Sequence, residues 1–148
     1  MSNTAQKIWK VPVSPAMFNQ RNAGTLATLF QIEFVEVTDS YAKATMPVTA
    51  QLWQPNGIMN GGVSCVLAET VGSTAANYCL NPLQEYCVGI DINTNHIRAV
   101  RSGTLGAVAK PFHIGRLTQV WSIEVFNEKG EIVSVTRLTL AVLPIKAR

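Results

Sequence analysis

The sequence predicts an α+β domain, with a strongly curved antiparallel sheet of five or six strands wrapped around one long central helix. Two patterns point there. The run from Gly61 to Leu80 is apolar over a helix's length and carries a single charged residue, Glu69. Most of the remaining chain alternates apolar and polar residues between turn signals and reads as strands. A helix apolar on most sides must be covered on most sides, and a curved sheet covers it. Gly62, Ser64, Ala68, Gly72, Ser73 and Ala75 are small enough to let that sheet approach closely.

Taken in order, residues 1–14 are expected to form a loose arm that Trp9 pins to the body. Ser14-Pro15 opens a short helix, with proline at an early helical position, and Arg21-Asn22-Ala23-Gly24 closes it. Thr25 to Phe30 reads equally as a turn or a short helix. Gln31 to Val37 is strand-like, Thr38-Asp39-Ser40 turns the chain, and Tyr41 to Val48 returns as the second arm of a hairpin. Thr49 to Asn60, with Pro55 and Gly57, is irregular. The long helix follows, to about Leu80, where Asn81-Pro82 stops it.

After that the pattern is all strand. Glu85 to Val100 sets Val88, Ile90, Ile92 and Thr94 on one face. Gly103 to Phe112, Arg116 to Phe126 and Glu131 to Leu143 are three more strands, the last two joined by the hairpin signal Asn127-Glu128-Lys129-Gly130. Pro144 ends the last strand and Lys146-Ala147-Arg148 is a solvated tail.

At 148 residues the chain is read as one domain, 1–148, with enough length for a real core. Apolar residues make up 47% and charged residues only 14%, which argues against disorder. A net charge of +3 without any basic run gives no case for nucleic acid. The N-terminus has no apolar core of a signal peptide, and Glu69 and Asn77 interrupt the apolar run, so no membrane segment is expected. The three cysteines, Cys65, Cys79 and Cys87, have no metal spacing and read as reduced packing residues of a cytoplasmic protein. Two histidines without a carboxylate at ligand spacing are too few for a metal site. No metal or redox cofactor is expected.

Glu69 is hard to explain as packing, because a carboxylate among apolar neighbours is unfavourable unless it is paired or its chemistry is used. Asn60 is a good N-cap, and Gly61 and Gly62 would offer free N–H groups at the positive end of the helix dipole. Such an end suits an anion or a developing oxyanion. Glu69 lies eight residues beyond Gly61, or about 12 Å along the axis. One helix cannot bring both to a single reacting group, but two antiparallel copies can. The pattern therefore implies a homodimer with paired sites at its interface. The alternative for Glu69 is an ion pair with an arginine across that interface; for Gly61, a close helix–sheet contact only. Ser73, four residues after Glu69, shares its face and either orients the carboxylate or bonds back to its own helix.

The chain resembles the hotdog-fold acyl-CoA thioesterases of the phenylacetate-pathway type. It looks most like the branch of the enterobactin-proofreading and dihydroxynaphthoyl-CoA thioesterases. The likeness rests on IWK near the start, ATMPV at 44–48, QPNG at 54–57, GGVSCVLAETVGS at 61–73, NTNHIRAVRSG at 93–103, KPFHIG at 110–115 and QVWSIEVFNEKG at 119–130. It implies that Glu69 is the catalytic general base or nucleophile and Gly61 the oxyanion donor. It implies further that Gln54 holds the thioester or the attacking water, and that Ser73 touches the carboxylate or the acyl ring. Without it, Gln54 reads as a surface loop amide.

Coenzyme A contacts are implied at Gly89, at His96, Ile97, Arg98 and Ala99, and at His113 to Thr118, including Ile114, Gly115 and Arg116. His96 and Arg98, two apart on one strand face, with Arg101, Lys110, His113 and Arg116, would receive its phosphates and pantetheine arm. Their alternative is a set of solvated surface cations. The departure is Asn60, where the branch has histidine. Asparagine can cap and donate a hydrogen bond, but it cannot carry a proton. The expected activity is hydrolysis of an aromatic or medium-sized acyl-CoA by a homodimer or homotetramer. A non-hydrolytic acyl-CoA binder, favoured by Asn60, is one rival. A dehydratase of the same fold is the other, and it would want a histidine at the helix, where neither His96 nor His113 is expected.

Overall fold

The computed structural model describes residues 7–146, so 1–6 of the expected arm and 147–148 of the expected tail lie outside it. The order is α1 (Pro15–Asn22), α2 (Leu26–Leu29), β1 (Glu33–Val37), β2 (Ala42–Val48), α3 (Gly61–Tyr78), β3 (Glu85–His96), β4 (Gly103–Ile114), β5 (Thr118–Phe126) and β6 (Ile132–Pro144). The strands form one antiparallel six-stranded sheet in the order β1-β2-β4-β5-β6-β3. The curved sheet wraps α3, as its pattern requires. No helix among the described residues is long and apolar enough to cross a membrane.

Local chemistry sets the ends. Ser14 Oγ accepts from the Met17 N–H, with Pro15 at the first helical position. Thr25 caps α2, so the ambiguous segment is a short helix. Gln31 adopts φ 54° and stands outside β1, which shortens the expected strand at its start. Gly130 takes φ 75° in the β5–β6 turn, while Asn127 Oδ1 accepts from the Lys129 and Glu131 N–H groups. Trp9 is buried edge-on against Phe18 and donates to the Thr38 carbonyl, which is how it pins the arm.

Leu67, Val71 and Ala75 of α3 are fully buried against Trp121, Ile123, Leu138 and Leu140 of β5 and β6. Each large side chain so buried stabilises the fold by about 1.5–3 kcal/mol. At Gly72 the sheet is so near that a methyl group would stand 2.6 Å from Leu138 Cδ2. Gln119, fully buried, donates to the Ala76 carbonyl and accepts from Trp121 Nε1, tying α3 to β5.

Strand β3 departs from expectation in two ways. It ends at His96 rather than Val100, because the Ile97 and Arg98 N–H groups both turn to the Val133 carbonyl. It also carries a bulge between Gly89 and Asp91. Gly89 pairs with Leu140 and Ile92 with Leu138, both core residues, whereas Val88 pairs with the outward Ala141. The single face expected for Val88, Ile90, Ile92 and Thr94 is thus split, since an extra residue in a strand reverses the side-chain alternation.

Candidate active site

The start of α3 is built by Asn60. Its side chain accepts from the Gly62 N–H at 2.8 Å, and its carbonyl accepts from the Val63 N–H. Gly62 is therefore spent on the cap, contrary to the expectation that both glycines offer free donors. Among the described residues, no acceptor is paired with the Gly61 N–H. A cavity of about 220 Å³ opens beside it, lined by Gln54, Ile58, Ser64, His96, Ile97 and Arg98 among others. Gln54 is half-buried in that wall, not a free surface amide, although its Oε1 also accepts from Asn56.

His96 corrects a second expectation. Its imidazole lies at the helix after all: a methyl group on Gly61 would stand 2.8 Å from Nε2. Only His113 is elsewhere, past a bulge in β4. Ser64 is the residue the sequence did not flag for chemistry. It is 1% exposed, and its hydroxyl has no hydrogen-bond partner among the described residues. The signal was faint: a serine on the turn after the helix start, in a run of small residues that reads as packing.

Glu69 stands farther along the helix, half-buried. Its Oε1 accepts from Ser73 Oγ at 2.7 Å, so Ser73 orients the carboxylate. Gly89 of β3 lies directly against the same group. Among the described residues the ion pair is Arg98–Glu131, at 3.3 Å, and Glu69 has no cationic partner. Asn77, two turns on from Glu69, fastens this part of the helix to β3 by bonding the Cys87 N–H and carbonyl.

The expected coenzyme A residues fall into separate groups. His96 to Ala99 sit at the helix start, but Arg98 has left the strand face of His96 and pairs with Glu131. The Glu131 carboxyl is held below the usual range, first by the hydrogen bond from Asn127 and then by the charges of Arg98 and Lys129. Arg101 donates to the Gly57 carbonyl. Lys110 stands over the Tyr41 ring. His113 and Ile114 end β4, and Gly115 and Arg116 open the turn to β5, closed by the Gly115 N–H on the Thr118 carbonyl. His96 pairs with Ser134, while Thr118 at that turn pairs with Ala141. Seven β6 residues (141 − 134) separate them, or about 23 Å. One chain does not bring the two groups together.

Burial pushes the Cys79 thiol up to about 12 and the Cys87 thiol up to about 11. Both are buried, and all three cysteines are free thiols. No three His, Cys, Asp or Glu side chains among the described residues gather as a metal site would need.

A family model described as the thioesterase superfamily matches residues 56–134, which span both the helix start and Glu69. The chain belongs to the thioesterase superfamily. A Vibrio cholerae protein, whose name goes no further than a provisional esterase, is 47% identical over 91% of this chain and 89% of its own. The 1,4-dihydroxy-2-naphthoyl-CoA hydrolase of Escherichia coli is 41% identical over 92% of this chain and 99% of its own. A crystallised mutant thioesterase from Pseudomonas aeruginosa superposes with a TM-score of 0.90 at 38% identity, covering 93% of this chain and 99% of the other.

The fold is that of the hotdog thioesterases, and the chain is a thioester hydrolase. For a thioesterase the arrangement is chemically legible. An oriented carboxylate without a counter-cation can accept a proton. A free N–H at a helix start can hold a developing oxyanion.

Proposed function

We propose that this thioesterase hydrolyses an acyl-CoA to the free acid and coenzyme A, at paired sites formed between two copies of the chain. Glu69 acts on the thioester carbonyl carbon, either as general base on an attacking water or as nucleophile. In the general-base form, the water oxygen bonds to carbon as Glu69 takes its proton. The carbonyl oxygen becomes an oxyanion held by the Gly61 N–H of the second copy. Collapse breaks the C–S bond, and the thiolate leaves with the proton from Glu69. Gln54 holds the water or the thioester, and Ser73 keeps the carboxylate oriented.

The observation that carries this reading is the environment of Glu69: fixed by Ser73, unpaired with any cation among the described residues, and in a chain whose family cleaves thioesters. Three features support the paired arrangement. Gly61 and Glu69 are too far apart along one helix. The two groups of expected coenzyme A contacts are about 23 Å apart along one sheet. And β3 is a long edge strand of 12 residues with Val88 40%, Ile90 60% and Ile92 38% exposed. An apolar free edge of that length is a template for pairing with another chain. Antiparallel pairing of two such edges sets the two α3 helices antiparallel. A tetramer of two such dimers is the larger assembly.

The resemblance to the named branch supports an aromatic or medium-sized acyl group, and the cavity of about 220 Å³ beside Gly61 gives one wall of a site that the second copy completes. The free thiols support a reducing, cytoplasmic setting. The test is thiol release over a panel of acyl-CoA substrates, with sedimentation to give the assembly. Glu69→Gln should lower kcat by orders of magnitude with the fold intact; unchanged release, or a fully active monomer, would refute the reading.

His96 beside Gly61 favours a second reading, a dehydratase, because it sets an imidazole where that chemistry wants its base. Water loss from a hydroxyacyl thioester without thiol release would establish it. Asn60, which carries no proton, favours a non-hydrolytic binder; tight acyl-CoA binding without turnover would be its mark.

A further inference from the structure

We infer that Gly89 is a positioning residue for Glu69: its missing side chain is the space in which the carboxylate is held. The inference rests on the reading of Glu69 as the acid that acts on the thioester. A Cβ placed on Gly89 would stand 2.5 Å from Glu69 Oε1 and 3.2 Å from both Cδ and Oε2. All three atoms belong to the carboxyl group, and no other residue is among the nearest neighbours. Oε1 is also the atom that accepts from Ser73. The carboxylate is thus gripped from two sides, by a hydroxyl on its own helix and by bare backbone on β3.

The notch lies at the edge of a bulge. Gly89 is the last residue before the shift between Gly89 and Asp91, and it faces the helix with Leu140. A bulge bends its strand and re-aims the residues beside it, and such features gather next to active sites. Ile90 beside it is 60% exposed, and glycine alone lies against the acid. Gly89 does not adopt a positive φ, so an L-residue could take its backbone conformation. Space, not conformation, is what requires glycine there.

The magnitude follows from contact distances. Ordinary contact begins at 3.4 Å, so a methyl group at 2.5 Å demands that Oε1 retreat by 3.4 − 2.5, or 0.9 Å. Glu69 is flexible at its far end, so the fold can yield this movement easily. Catalysis cannot, since a misplacement of about 1 Å is enough to lower a rate about 10²-fold. Gly72 is the contrast: a methyl group there meets Leu138 and Ile123 of the packed core.

The experiment is steady-state thiol release by Gly89→Ala, with thermal melts and a crystal structure of the variant. The expected result is kcat lowered about 100-fold, KM within a few-fold, an unchanged melt, and loss of the 2.7 Å Ser73–Glu69 hydrogen bond. In a Glu69→Asp background, where the acid is one methylene shorter, adding Gly89→Ala should lower kcat no more than about threefold, which a role in holding coenzyme A would not produce. A wild-type rate in Gly89→Ala, a rise in KM alone, or the same 100-fold loss in the Asp background would overturn the inference and leave the thioesterase reading standing. If Glu69→Gln kept full thiol release, the reading of Glu69 would fail and the inference would fall with it.

Discussion

Ser73 Oγ donates to Glu69 Oε1 at 2.7 Å from the next turn of the same helix. The bond ties the carboxylate to the helix side that meets Gly89 of β3. A hydrogen bond to a charged group is worth about 1.5–3 kcal/mol. Ser73→Ala should therefore lower kcat about 10- to 100-fold with KM little changed, measured by thiol release. Ser73→Thr, which keeps the hydroxyl, should restore most of the rate.

His96 should matter for binding before it matters for chemistry. It lines the cavity at the helix start and touches Gly61. His96→Gln keeps a donor but removes the imidazole. On the proposed mechanism it should raise KM for acyl-CoA about tenfold, the effect of one hydrogen bond to a charged group, and leave the pH profile of kcat unchanged. A lost acidic limb in that profile would instead make His96 the base, and a lost basic limb the acid.

Arg98 is tied to Glu131 across an exposed pair. Removing the competing carboxylate with Glu131→Gln should free the guanidinium for a phosphate. The expected change is a KM about two- to fivefold lower, the scale of an exposed pair, with a steeper dependence on salt. The sign of the pH effect is fixed by the lowered Glu131 carboxyl. A depressed folded-state value means the pair is complete above the ordinary carboxylate range and is lost only as pH falls through the lowered value. The advantage of the variant should thus be constant across neutral pH and fade in acid.

Cys79 predicts alkaline behaviour. Its ordinary value is 9.0 and burial raises it to about 12. Between those values the unfolded chain has released a proton that the folded chain still holds, so its contribution to stability falls as pH rises. Cys79→Ala should melt lower than wild type at neutral pH, because it leaves a small cavity, but lose less stability between pH 8 and 10.5. Differential scanning fluorimetry across that range checks it.

Gly72→Ala should act on the fold alone. Its methyl group would stand 2.6 Å from Leu138 Cδ2 and 3.1 Å from Ile123 Cδ1, both in the core. Overpacking of this kind costs about 1–3 kcal/mol. The expected outcome is a melting temperature several degrees lower with kcat for the surviving protein near wild type.

Pattern alone was enough for the fold and for singling out Glu69, the one charged residue of α3. A long apolar helix with one acid, ringed by alternating segments, has few ways to be buried, and a curved sheet is the one found. Periodicity reports which way side chains point within an element, so the elements and the Glu69–Ser73 pair were legible. What depends on neighbours distant in the chain came from the fold. It brought His96 to Gly61, turned Arg98 toward Glu131, and set bare Gly89 beneath Glu69. The bulge in β3 is why Gly89 and Ile92, an odd number of residues apart, both face the core. One residue more on one strand than on its partner reverses every face that follows, and no alternation pattern records it.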